Sequence, residues 1–236
     1  MKSRYGTRTG PVAGSLALAA AILWSLAGAA KEAPSQIDGL VRVKDSKLDY
    51  VYVLPNATLA GYKSVRIDPV DVAFDKNWKP NEHERSPSRQ ISDSDIEKIR
   101  STVASEFRKV FIEELKEGGY NVVDTDGPDV LRVTPFIVNL YITAPDKMTA
   151  GRSRSYVASS GHMSLIAVLR DSVTGQNLVK AVDNVQGRQT NNFQIANSVT
   201  NLGDARFAFG KWARVLREAL DRAKVDTAGN TKVAEE

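Results

Sequence analysis

Seven apolar residues recur every three or four positions in the middle of the chain: Ile96, Ile99, Val103, Phe107, Val110, Phe111 and Leu115. That spacing draws a single stripe along a helix, and it predicts a helix whose apolar side must be buried against a separate surface. The start is placed by a capping box, Ser94-x-x-Glu97, and the end by Gly118-Gly119, where glycine supplies the left-handed turn that closes a helix.

The surface to receive that stripe comes from β-branched runs on either side of it. Tyr50 to Leu54 is a short extended run stopped by Pro55. Ser64 to Phe74 alternates like a strand, but its phase slips at Asp68-Pro69, which predicts a bulge or bend there. Tyr120 to Val123 is short, and Asp129 to Thr143 is a long strand with a second slip placed near Pro135. Gly161 to Arg170 and Gln176 to Arg188 read as a hairpin turning at Asp171 to Gly175. Its first arm, Met163 to Leu169, is apolar on both faces and belongs in the centre of a sheet. A second helix over Gly203 to Lys224 carries the stripe Phe209, Trp212, Leu216 and Leu220. The expected class is α+β: a mostly antiparallel sheet packed against two long amphipathic helices, a two-layer sandwich.

The N-terminus reads as an address. Lys2, Arg4 and Arg8 precede an apolar stretch from Pro11 to Ala30 that ends in Ala27-Gly28-Ala29-Ala30. A cationic start, an apolar middle and a small-residue exit are the parts of a secretory signal peptide, with cleavage expected between Ala29 and Ala30. The alternative is an uncleaved helix that anchors the chain in the inner membrane. The expected organisation is a signal peptide at 1–29, a linker at 30–46, one α+β domain at 47–224 and a flexible tail at 225–236. Lys2, Arg4 and Arg8 leave with the signal and no acid does. The excess of four basic residues in the full chain then falls to one, and a basic partner-seeking character must rest on local patches. Leu26-Ala27-Gly28 opens like a lipoprotein box, yet Ala29 stands where the lipidated cysteine belongs, so no lipid anchor is expected. The chain has no cysteine at all, which excludes disulfides, thiol catalysis and cysteine metal sites.

Three stretches carry a family resemblance. They are Leu48 to Val53 running on to Tyr62-Lys63-Ser64-Val65-Arg66-Ile67-Asp68-Pro69-Val70; the helix leading to Gly118-Gly119-Tyr120-Asn121-Val122-Val123 and Asp129 to Val133; and the turn Asp171 to Leu178 before the Trp212 helix. Together they resemble the domain-of-unknown-function family 3313, exported bacterial cell-envelope proteins that are often lipoproteins. The resemblance implies export and transfers no catalytic residue; Ala29 departs from the lipoprotein pattern.

The chemistry in the sequence is sparse. His83 lies between Glu82 and Glu84, a spacing that rarely converges on one metal ion, and His162 opens a strand. No nucleophile elbow, zinc-protease motif or phosphate loop is present. Asp68, Asp71, Asp171 and Asp183 read as turn or strand residues before they read as paired catalytic acids. No catalytic, cofactor-binding or metal-binding residue is assigned, and no cofactor is expected. Cations gather at Arg152 and Arg154 in a loop, and at Arg206, Lys211, Arg214 and Arg217 on the last helix, where Asp204, Glu218 and Asp221 are the expected partners. Trp78 is isolated in a polar loop. The candidate partner surface is therefore Trp78, Arg152, Arg154 and Arg214. The expected function is a periplasmic or secreted envelope protein that acts by binding an envelope protein or a cell-wall or outer-membrane component, not nucleic acid. The sequence names no oligomeric state. The alternative is an envelope hydrolase with a site built from loops 75–92 and 144–160.

Overall fold

The computed structural model describes residues 33–82, 85, 90–142, 155–157, 161–186, 194–196 and 198–233. It divides into two units, Met1–Pro34 and Ser35–Glu236, and the described strands and helices belong to the second. The expected cleavage site at Ala29 and Ala30 lies outside the described residues, as do His83, Arg152 and Arg154.

The elements follow in the order β1 (Gln36–Ile37), β2 (Leu40–Val43), β3 (Tyr50–Val53), β4 (Ser64–Ile67), β5 (Asp71–Phe74), α1 (Asp93–Glu117), β6 (Asn121–Val123), β7 (Val130–Ile142), β8 (Ser155–Val157), β9 (Gly161–Asp171), β10 (Asn177–Gln186), β11 (Gln194–Ala196) and α2 (Ser198–Val233). Nine of these strands form one sheet in the order β1-β2-β3-β10-β9-β7-β4-β6, with β5 also pairing β7. The pairings from β1 across to β7 are antiparallel. Those of β4 with β6 and β7, and of β5 with β7, are parallel. The class is α+β, as expected, with a mixed sheet. The hairpin arm β9 sits centrally between β10 and β7.

Both helices lie on one face of the sheet. Val103, Phe107, Phe111 and Leu115 of α1 and Phe209, Trp212, Leu216 and Leu220 of α2 share a core with Leu131, Val133, Leu165, Ala167 and Leu169. These are the stripes read from the periodicity. Two tyrosines clip this layer at its rim: the Tyr62 hydroxyl donates to Asp171 at 2.9 Å and that of Tyr120 to Asp221 at 2.7 Å. Burial, reinforced by Asp171, pushes the Tyr62 hydroxyl up to about 12 from its ordinary 10.0, and burial with Asp221 raises Tyr120 likewise. In the unfolded chain a tyrosine ionises near 10.0, while the folded Tyr62 still holds its proton. The stability these hydroxyls contribute is whole below that value and is lost as pH climbs toward 12. Urea midpoints should therefore fall between these two pH values, and Tyr62→Phe should flatten the fall.

Several sequence expectations give way. Residues 36–43, placed in the linker by composition, are the strands β1 and β2, and Leu40 is fully buried. The capping box that forms is Ser92 with Asp95, two residues before the expected pair, since Asp serves the N3 position as Glu does. Gly119, not Gly118, takes the left-handed conformation at φ 79°. Helix α2 runs on to Val233, through residues assigned to the tail. Within the expected loop 144–160, β8 pairs with β11.

The break at Asp68-Pro69 is real, and it separates β4 from β5 along the same neighbour, β7. The second slip falls at Asn139, at φ 53°, between Val138 and Tyr141 rather than at Pro135. Pro135 stays in register because of where it points. The Val133 carbonyl accepts from Asp68 on the β4 side. By two-residue alternation Pro135 faces that side too, at the gap between β4 and β5, where its missing N–H leaves no ladder bond unmade. Gly161 opens β9 at φ 129°, and a Cβ there would collide with the Tyr141 carbonyl oxygen, so the close β7–β9 approach requires glycine.

Candidate functional site

Residues that alternate with the core positions point away from the helices. The middle of that face is apolar and buried, through Phe136, Ile166, Val168 and Val182. Its ends are polar. At one end the register aligns Arg66 of β4 with Arg132 of β7, Arg132 with Arg170 of β9, and Arg170 with Asn177 of β10. Three arginines thus stand side by side across three strands, about 4.8 Å apart at the backbone. Like charges directly opposite each other destabilise a sheet.

Two acids offset part of this. Asp68, at the end of β4 and with a side chain only 8% exposed, accepts from Arg132 Nε through both carboxylate oxygens at 3.0 and 2.9 Å. It also accepts from the Thr134 hydroxyl at 2.6 Å, and Arg66 Nε stands 3.8 Å away. Asp126 accepts from Arg66 Nη1 at 2.6 Å, and that bond holds the guanidinium above its ordinary basicity. Arg170 gives Nε to Asn177 at 2.8 Å and Nη1 to Thr134 at 3.4 Å. Among the described residues no carboxylate pairs with Arg170. Asp124 acts on Arg66 as well, so among the described residues the carboxylates gather on Arg66 and Arg132 and leave Arg170 without one.

At the opposite end of the same face, His162 stacks on Tyr141 with centroids 5.1 Å apart, and its Nε2 lies 3.6 Å from Asp75. Ser164, two residues along, is buried and donates its hydroxyl to Asn184 Oδ1 at 2.6 Å. Because that proton goes to an amide rather than to the imidazole, this end lacks the Ser–His bond a nucleophilic hydrolase uses. Of the two loops named for the hydrolase site, residues 83, 84 and 86–89 of the first and all but 155–157 of the second lie outside the described residues. No group of three metal-ligating side chains converges among the described residues, and no described helix is long and apolar enough to cross a membrane.

The other sequence candidates are dispersed. Trp78 is half-buried, stacks on Phe74 at 4.1 Å and donates Nε1 to the Ile142 carbonyl, so it pins the turn after β5 to the end of β7. Arg214 is exposed on α2 and has no ion pair among the described residues. Its helix neighbours hold carboxylates of other elements, while Glu218 feels Arg217 and Arg222 as expected but bonds Lys47. Lys211 binds Asp183, Arg206 binds Glu106 and Arg217 binds Glu114, each at 2.8 Å. Of the four acids singled out, Asp71 is exposed and Asp171 caps its turn through the Val173 and Thr174 amides. Asp68 and Asp183 lie on opposite faces of the sheet.

The arginine row was not found from sequence. Each member is a lone cation inside a β-branched run, Val65-Arg66-Ile67, Leu131-Arg132-Val133 and Leu169-Arg170. That local signal was available, but only the register of distant strands brings the three together.

A family model described as "Protein of unknown function (DUF3313)" matches residues 30–216. No curated protein matches the chain. Among solved structures, the PelC dodecamer from Paraburkholderia phytofirmans is similar at 10% identity and TM-score 0.34, over 70% of this chain and 96% of that one. A neuraminyllactose-binding hemagglutinin homolog from Helicobacter pylori is similar at 10% identity and TM-score 0.37, over 75% and 92%. A minor lipoprotein from Acinetobacter baumannii is similar at 8% identity and TM-score 0.28, over 66% and 91%. Likenesses of this degree carry no weight in the functional reading.

Proposed function

The chain belongs to the DUF3313 family of proteins of unknown function, and from that premise we propose that it is an exported cell-envelope protein that works by binding, with the arginine end of its sheet as the contact surface. The observation that carries the reading is the Arg66–Arg132–Arg170 row, whose Arg170 has no carboxylate partner among the described residues. Strands hold these side chains in place before any partner arrives, which lowers the ordering cost of association. Arg206, Lys211 and Arg217 of α2 each hold a carboxylate of another element, which leaves the sheet face as the better-organised basic surface; Arg214 and Trp78 are secondary contacts. Export is supported by the cationic, apolar and small-residue order of residues 1–30. The partner class is an envelope protein or a cell-wall or outer-membrane component that presents anionic groups. Ala29 in place of cysteine argues for a chain without a lipid anchor.

Fractionation of the native host with N-terminal sequencing tests this. The expected product begins at Ala30 and is released with the periplasmic or secreted fraction. A chain recovered from the cytosol would refute the export reading, and one in the inner membrane with its first residues intact would refute cleavage. Retention of an anionic component from envelope extract on immobilised protein tests the binding half, and recovery of nothing specific counts against it.

A further inference from the structure

We propose that the arginine row is a phosphate-binding site, gripped by the terminal nitrogens of Arg132 and Arg170, with Asp68 acting as the positioning residue for Arg132. The inference rests on the reading of this sheet face as a binding surface and names the group bound. Arg132 spends only Nε on Asp68, so both of its Nη nitrogens are without a partner among the described residues. Arg170 spends Nε on Asn177 and Nη1, at 3.4 Å, on Thr134, which leaves Nη2. The two guanidiniums stand on adjacent strands in direct register. Each is braced by a neighbour: Arg132 by a buried carboxylate, Arg170 by a side-chain amide.

The geometry selects the ligand class. A carboxylate has two oxygens, and one arginine engages both, as Arg132 Nε does with Asp68. The two terminal nitrogens of Arg132 and Nη2 of Arg170, arriving from neighbouring strands, call for more than two oxygens on one centre, which a tetrahedral phosphate has. The charge agrees: among the described residues Arg170 has no carboxylate partner, and its one positive charge is enough to neutralise a phosphodiester or a singly charged phosphate. The cost agrees as well. Three cations in cross-strand contact work against the sheet, and sites that bind are where folds keep such destabilising arrangements.

The test uses the whole chain as recovered from its host, at fixed ionic strength, with inorganic phosphate replacing chloride. Thermal melts and titration calorimetry give the readout. Phosphate at ten times its dissociation constant should raise the melting temperature by about 3 °C or more. Arg170→Gln should weaken phosphate binding at least tenfold, while in chloride its melting temperature stays level or rises, because a like-charge neighbour has gone. Arg222→Gln removes the same charge from an exposed position of α2 and should bind phosphate like the wild type. Vesicles of phosphatidylglycerol and phosphatidylcholine supply the second arm. Vesicle binding lost in Arg170→Gln assigns a lipid headgroup, whereas a response to free phosphate alone assigns a soluble ligand, and either supports the site. No response in either arm overturns it. So does an equal loss in the Arg170 and Arg222 variants, or an Arg170→Gln chain that melts lower in chloride and still binds phosphate. A cytosolic chain that binds phosphate would refute export and leave this site standing; an envelope chain that ignores phosphate would do the reverse.

Discussion

Asp183→Ala is expected to lower the unfolding free energy by about 3 kcal/mol. Asp183 is 1% exposed and lies on the helix side of β10. Its Oδ2 accepts from Trp212 Nε1 at 2.7 Å and from Lys211 Nζ at 2.8 Å, and its Oδ1 accepts from the Asp49 amide at 3.2 Å. One carboxylate thus ties α2 to the sheet and to the turn before β3. Alanine leaves the indole N–H of a core tryptophan without an acceptor, and a buried donor so abandoned costs about 1–3 kcal/mol by itself. The vacated volume adds to that. Lys211→Ala is the informative companion. The Lys211 side chain is 40% exposed, so its removal forfeits a partly solvated ion pair and should cost about 1 kcal/mol or less. Urea unfolding with an unchanged slope would measure both. Equal losses in the two variants would mean that the ion pair, and not the indole bond, holds the helix.

The second large effect is expected at Phe107. It is fully buried, stacks on Phe111 with centroids 4.1 Å apart and meets Phe209 of α2 edge-on at 5.4 Å. Its ring joins the two helices to each other as well as to the sheet. Phe107→Ala should cost about 4 kcal/mol, within the range for deleting a core aromatic. Val225→Ala, on a side chain 69% exposed, should stay within about 0.5 kcal/mol and serves as the baseline. A Phe107→Ala midpoint indistinguishable from that of Val225→Ala would show that the helices are held by something other than this aromatic cluster.

Features set by neighbours in sequence were legible beforehand. The stripes of α1 and α2, the Gly118-Gly119 stop and the hairpin at Asp171 are local, and each formed where its pattern lay. The errors came where two local signals competed. Ser92-x-x-Asp95 and Ser94-x-x-Glu97 both satisfy a capping rule, and only the first lies at the turn where the chain enters the helix. Pro135 looked like the place of the second slip because sequence does not reveal which of its sides has a neighbour. Residues 36–43 looked like linker because two short strands with a turn at Asp38-Gly39 have the composition of a loop. The arginine row was hidden for a different reason: Arg66, Arg132 and Arg170 share nothing in sequence, and only strand register makes them neighbours.

The strand order bears on how this sheet can be assembled. β2 and β3 pair with each other, but their attachment to the rest of the sheet runs through β10. Val53 meets Val179, and Tyr50 meets Val182. A chain synthesised from its N-terminus displays β1 to β3 long before β10 exists, and a two-stranded ribbon is at best marginal alone. The first strands made are therefore among the last to settle, and the whole sheet closes only once the hairpin β9–β10 has emerged. Pairings this distant slow folding, so the newly made chain spends an extended interval without a finished sheet.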